Sequence, residues 1–287
     1  MIPRTNDCDP PDQRLWWRMA ALRGLWSASD MNQEAVLAAF DEQIRRHSGP
    51  PGQDEDVERD DHVVRIISEG WGGVTWSDLD PSTADTVIAA QVDRFAQLAR
   101  PWEWKHYSYD QPADLPERLV AAGLVAEPAE TLMVAEIADL AVDVPPPLGV
   151  QLRPVVDERG IEAFVRMHAD VFGGDHSAIG RTLLASLTQE LPAHVAVIAW
   201  SEGAAVGAGR VELQPGTDFA SIWGGGTLPE WRGRGVFRSV VAYRAALASA
   251  RGFRYLQVDA VPDSRPILER LGFVELATTT PFAHPGA

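Results

Sequence analysis

The stretch Thr227–Val241, "TLPEWRGRGVFRSVV", decides how the chain is read. An apolar run ends at a proline, an arginine–glycine alternation follows, and the remainder has the look of a helix. Gly233 and Gly235 carry no Cβ, so the backbone can turn sharply there and a ligand can come close to its N–H groups. A helix starting beside Gly235 would point its unpaired N–H groups and positive dipole end at the same place, with Arg232, Arg234 and Arg238 adding cationic donors. Such a turn suits a phosphate.

Working outward, alternation and helical spacing predict β-α-α-β-β-β-α-β-α-β from Val150 to the C-terminus, a mixed α/β arrangement. The strands are "VQLRPV", "HVAVIAWSE", "AAVGAGRVEL", "FASIWGGGTL", "RYLQVDAV" and "FVELATTT". The helices are "ERGIEAFVRMHADVF", "SAIGRTLLASLTQEL" capped by Ser177, the helix running from the opening turn to about Arg251, and "SRPILERLG". Pro145, Pro146 and Pro147 form a stiff spacer, which predicts domains of 1–147 and 148–287. The first half echoes the second. Asp110, Asp114 and Gly123 precede Asp259, Asp263 and Gly272 by a constant 149 residues, each set following a helix. That spacing suggests an internal duplication. The first copy has "VTWSDLDPSTAD" before its helix and lacks the glycine–arginine turn.

Composition narrows the function. The 287 residues are 45% hydrophobic and 23% charged, as in an ordinary globular protein. The formal charge of −16 argues against nucleic-acid binding. It is concentrated in residues 1–148, which hold 27 Asp/Glu against 12 Lys/Arg, while 149–287 hold 14 against 13. No apolar run approaches the ~18 residues of a membrane span. The first residues lack the apolar core of a signal peptide, and the single cysteine, Cys8, has nothing nearby to activate it. A cytoplasmic protein is expected. The tryptophans cluster in the first half (Trp16, Trp17, Trp26, Trp71, Trp76, Trp102, Trp104). They read as core, or as an aromatic acceptor pocket between the halves.

The C-terminal half resembles the GNAT superfamily of N-acetyltransferases over roughly residues 149–283. The residues that carry the likeness are Arg232-Gly-Arg-Gly-Val-Phe237, matching the family's acyl-CoA signature, Pro229 before it, and "ERLGF" ending in Phe273. The resemblance implies a GNAT-like fold, a tandem of two GNAT-like domains given the repeat, and acetyl-CoA as the acyl donor. It implies donor contacts at Gly226, Thr227, Leu228, Arg232, Gly233, Arg234, Gly235, Val236, Phe237, Arg238 and Ser264. It further implies a gap between "SIWGGGTL" and "YLQVDAV" in which the pantetheine arm would lie, with Gly224, Gly225 and Gly226 allowing close approach.

Three positions depart from the family pattern. Phe237 replaces a small residue. Leu268 stands where many members carry a proton-donating tyrosine, and leucine cannot donate. No glutamate base is obvious on the central strands. An attacking amine must lose a proton, so Asp259 is the first candidate base, or else a cap of the next turn. Glu212 is the second. His168 reads as core, and His176 as a loop residue within reach of an acceptor. The expected partner is a small-molecule acceptor, a cationic amine given the acidic first half, with the chain a monomer or homodimer. A non-catalytic acyl-CoA sensor, another acyl-CoA or a non-amine acceptor are the alternatives.

Overall fold

The computed structural model describes residues 31–47, 55–68, 71–98 and 100–284, so Cys8, Trp16, Trp17 and Trp26 lie outside the described residues. From Asn32 onward the chain forms one compact unit. Its elements are α1 (Gln33–Phe40, continued by a π-wound turn Asp41–Arg46), β1 (Glu55–Arg59), β2 (Val63–Ser68), β3 (Gly72–Ser77), α2 (Ala84–Leu98), β4 (Trp102–Tyr107), α3 (Leu115–Ala121), β5 (Val125–Ala126) and β6 (Glu130–Glu136). Then come β7 (Val150–Pro154), α4 (Glu158–Phe172), α5 (Ser177–Leu187), β8 (His194–Ser201), β9 (Ala204–Leu213), β10 (Phe219–Thr227), α6 (Val236–Ala250), β11 (Tyr255–Ala260), α7 (Arg265–Leu271) and β12 (Val274–His284).

The predicted α/β class and element order of the second half hold. Ser177 opens α5, but it is not the cap: Asp175 accepts from its N–H and hydroxyl, at 2.9 Å each. The turn between β8 and β9 falls at Glu202 and Gly203, both at positive φ.

All twelve strands join one sheet in the order β1-β2-β3-β4-β12-β6-β11-β10-β9-β8-β7, with β5 alongside β12. Read from either end the pattern is the same: antiparallel neighbours, one parallel pair (β3–β4, β10–β11), then an antiparallel strand. That last strand comes from the other half. β6, from residues before the proline spacer, pairs with β11, and β12 pairs with β4. The halves therefore exchange strands across the β6–β12 pair at the centre of the sheet.

The repeat is visible in the backbone. Gly123 and Gly272, both at positive φ, follow seven-residue helices, Gly272 as the cap and Gly123 one residue beyond the cap, and both helices carry proline in their first turn. Asp110 and Asp259 do not correspond, because Asp259 lies within β11 whereas Asp110 lies three residues beyond β4.

One face of the sheet packs α6 against Val211, Ala220, Ile222 and Leu256, and α2 against Trp102, Trp104 and Phe282. The opposite face takes α4 and α5, which pack on Ala196, Ile198 and Ala208. It also takes α1, whose Phe40 meets Phe219 and Tyr107 edge-on or tilted. Trp102 and Trp104 are core; Trp76 is buried near the end of β3 and Trp71 is exposed.

Candidate active site

The site grows out of where β10 and β11 stop pairing. Their parallel register runs Phe219↔Tyr255, Ala220↔Leu256 and Ser221↔Gln257, and ends there. Beyond it, Ile222–Thr227 and Val258–Ala260 run on as unpaired facing edges, while each strand keeps its other neighbour. Between Trp223 and Gly226 the register of β10 shifts against β9, a bulge that turns the strand aside.

The three glycines of the bulge are each explained by a neighbour. A Cβ on Gly224 would overlap His168 Cε1; one on Gly225 would lie 2.9 Å from the Phe237 ring and 3.1 Å from Arg244 Nη2; one on Gly226 would lie 2.8 Å from Val171 Cγ1. The bulky Phe237 is thus accommodated by turning inward over Gly225.

The turn after β10 has the shape its sequence suggests. Gly233 and Gly235 sit at φ 73° and 91°, and α6 starts at Val236 with no side-chain cap. Arg232 N–H donates to Pro229 O and Ser239 N–H to Gly235 O, but among the described residues the N–H groups from Gly233 to Arg238 have no such acceptor. Residues 232–235 are exposed. Arg232 Nε reaches Thr227 O at 3.3 Å and Arg234 lies 4.8 Å over the Trp231 ring. Open donors at a helix N-terminus in an exposed glycine turn are the groups an anion needs.

The corresponding place in the first half is closed. β3 and β4 also separate after three pairs, ending at Val74↔Trp104. There the Arg45 guanidinium fills the gap: Nε donates to Thr75 O (3.0 Å), Nη1 and Nη2 hold Asp110 bidentately (2.9 Å each), and the group stacks 3.9 Å over Tyr107. Burial opposes that charge, yet Asp110 and the two tyrosines keep its pKa raised. The N–H groups ahead of α2 are taken as well, by Asp80: Ser82 N–H to its carboxylate (2.8 Å), Thr83 and Ala84 N–H to its carbonyl. Beside Arg45 lies a pocket of about 190 Å³ lined by Asp41, Asp78 and Asp110 among others, carboxylates where a phosphate needs donors. The sequence pointed to the missing glycine turn; nothing in "DEQIRR" signalled the arginine.

The candidate bases lie on the α4 face, and the structure separates them. Glu212 is held by Arg210 (Nε 3.1 Å), with His194 Nδ1 at 3.7 Å. Burial would raise its pKa, but the contacts with His194 and Arg210 hold it below the usual carboxylate range. Asp259 is 94% buried as a side chain and does not cap the following turn. Its Oδ2 meets Lys105 Nζ at 3.1 Å, and its Oδ1 has no partner among the described residues.

His168 is 2% exposed, as its helical spacing suggested. Its ring lies among Phe164, Phe172 and His176 and against the backbone of Gly224, with Nε2 unpartnered. Burial first, then Arg210 and His176, pull its pKa down to about 4. His176 Nε2 stays with Gly173 O at 2.7 Å. Leu268 is core. Ser264 precedes α7, and its hydroxyl donates to Val261 O. Buried polar atoms without partners gather at the splay: His168 Nε2, Trp223 Nε1, Thr227 Oγ1, Arg244 Nη2, Gln257 Oε1 and Asp259 Oδ1. Such atoms are rare in folded proteins, and their concentration here marks a place built for polar ligands. No His/Cys/Asp/Glu grouping that could hold a metal occurs among the described residues.

Comparison with known proteins agrees with this geometry. Residues 161–273 match the acetyltransferase (GNAT) family model. The whole fold is similar to a GCN5-related N-acetyltransferase from Kribbella flavida, at 20% identity and TM-score 0.64 over 89% of this chain and 95% of that one. It is also similar to a tandem GNAT protein of the clavulanic acid biosynthesis pathway, at 15% identity and TM-score 0.55 over 95% of each chain. A GCN5-related N-acetyltransferase from Sphaerobacter thermophilus follows at 13% identity and TM-score 0.54, over 88% of this chain and 86% of that one. These identities show the fold. No curated protein matches the chain in sequence. Residues 161–273 are a GNAT acetyltransferase domain, of an acyltransferase class of enzymes that generally takes its acetyl group from acetyl-CoA. No helix among the described residues is long and apolar enough to cross a membrane.

Proposed function

We propose that the chain is an N-acetyltransferase that moves an acetyl group from acetyl-CoA to a small-molecule amine, with residues 148–287 as the catalytic half and 1–147 as a degenerate partner. One observation carries the reading. The splayed ends of β10 and β11 and the open N–H groups from Gly233 to Arg238 adjoin each other in the second half, whereas Arg45 and Asp80 occupy both places in the first.

The residues present fit the donor. The open N–H groups and the dipole of α6 would hold its pyrophosphate, with Arg232, Arg234 and Arg238 adding charge. The unpaired edges of β10 and β11 offer N–H and C=O groups to its amides, as an added strand would. Acetyl-CoA supplies a thioester whose C–S bond breaks as the acceptor's N–C bond forms, releasing CoA as the thiol.

Of the two candidate bases, Asp259 has the better geometry for receiving the acceptor's proton: Oδ1 is free of partners, while Glu212 is engaged by Arg210. Leu268 is sealed in the core and takes no part in proton transfer. Acetyl-CoA turnover over a panel of amines, followed by release of free thiol, tests the assignment. Binding of CoA with no amine-dependent thiol release would replace it with a sensing role.

A further inference from the structure

The cluster around Asp259 draws on both halves of the chain. Cross-strand pairing places Glu103 and Lys105 of β4, Thr279 of β12, Glu130 of β6 and Asp259 of β11 on the same face, that of α4: Lys105 lies opposite Pro281, Glu130 opposite Thr279, Asp259 opposite Leu132. Lys105, the only lysine of the sequence, bridges the halves. Its ammonium sits 2.9 Å from Glu130 Oε2 and 3.1 Å from Asp259 Oδ2. Burial opposes its charge, yet the two carboxylates hold its pKa raised. The cluster thus already holds one ammonium.

One ammonium does not neutralise it. Asp259, Glu130 and Glu103 share a single lysine, with Glu127 close enough to act on Glu103. Burial raises the Glu103 pKa; Lys105 pulls it down, and Glu127, Glu130 and Asp259 push it up. Two buried acceptors here have no partner among the described residues: Asp259 Oδ1, on a side chain 6% exposed, and Thr279 Oγ1, on a residue fully buried between Glu130 and Tyr107 in the pairing. The side chains of Glu130 and Lys105 keep 26% and 14% exposure, so the cluster is open to a ligand.

We infer that Glu103 and Glu130 of this cluster, both from the N-terminal half, bind a positively charged nitrogen of the acceptor and so select a di- or polyamine, which leaves Asp259 Oδ1 to receive the proton of the nitrogen that attacks. The inference rests on the acetyltransfer reading and adds a substrate class to it. The chemistry requires two nitrogens. An ammonium held by carboxylates has no lone pair and cannot attack, so the nucleophile must be a second, neutral nitrogen of the same molecule.

The test compares 1,4-diaminobutane and spermidine with butylamine and 4-aminobutanol as acceptors, in the full chain and in Glu103→Gln and Glu130→Gln. Among the described residues Glu103 makes no ion pair, so its variant keeps the fold even where Glu130→Gln, which removes a partner of Lys105, lowers stability. The expected result is a kcat/KM for the diamines at least about tenfold above the monoamines, a ratio equivalent to about 1.4 kcal/mol. That preference should shrink in Glu103→Gln through KM, with CoA affinity unchanged. Equal kcat/KM for mono- and diamines, or a preference that survives both variants, overturns the inference and leaves acetyltransfer standing. If no amine is turned over, calorimetry with 1,4-diaminobutane decides. Binding that weakens in Glu103→Gln upholds the cation site and removes acetyltransfer to amines; no binding removes both.

Discussion

Replacing His168 by leucine should remove a pH dependence of stability that the buried imidazole imposes. The ring is neutral in the fold because burial, Arg210, His176 and Arg244 all oppose its proton, against only the Gly224 backbone in favour. Its pKa falls from the ordinary 6.5 to about 4. In the unfolded chain it protonates near 6.5, so between the two values the unfolded state binds one more proton and stability rises with pH. The contribution is complete above pH 6.5 and is lost as pH falls through 4, about 3 kcal/mol in all at ~1.36 kcal/mol per unit. Most carboxylates with lowered pKa titrate below this window, and the comparison with the variant subtracts their effect along with that of Glu103. Urea unfolding at pH 7.5 and 5.0 should therefore show wild type losing about 2 kcal/mol more than His168→Leu over that interval. Activity of the wild type should be lost through this ring only as pH falls through about 4, where the folded protein protonates it, a charged ring would leave Gly224 and the β10 bulge would lose its support. Parallel stability–pH curves for the two proteins would refute the reasoning.

Arg45→Ala should destabilise the chain by about 3–5 kcal/mol in denaturant, because Asp110 would be left buried without its partner, while CoA affinity stays unchanged. Asp259→Asn should lower kcat by ~10²–10⁴ with CoA affinity unchanged if Oδ1 takes the proton; a near-normal kcat would reduce Asp259 to a partner of Lys105 and move attention to Glu212 or to a water-mediated base.

What the sequence disclosed was local. The turn at Gly233–Gly235 was legible because positive φ demands glycine and the helix start follows within two residues. The strands from His194 to Ala260 were legible because their alternation is short-range. Phe237 stood out as an obstacle; only the three-dimensional pairing with Gly225 shows why it is tolerated. The exchange of β6 and β12 left no trace, since a strand has the same pattern whichever half it pairs with. The Lys105–Asp259 contact was hidden for the same reason, two residues far apart in sequence and separated in the sheet by β12 and β6. The repeat was seen through its glycines, which have a backbone role, and misaligned at Asp110, whose carboxylate serves Arg45 instead.

The most direct measurement is calorimetric titration of the full chain with CoA, alongside Gly235→Val. A valine at φ 91° carries strain of about 1–3 kcal/mol and places a branched side chain where the pyrophosphate must approach. One site per chain in wild type and none in the variant is the predicted outcome. Two sites per chain, or an unchanged affinity in Gly235→Val, would contradict a single cofactor cradle at the start of α6.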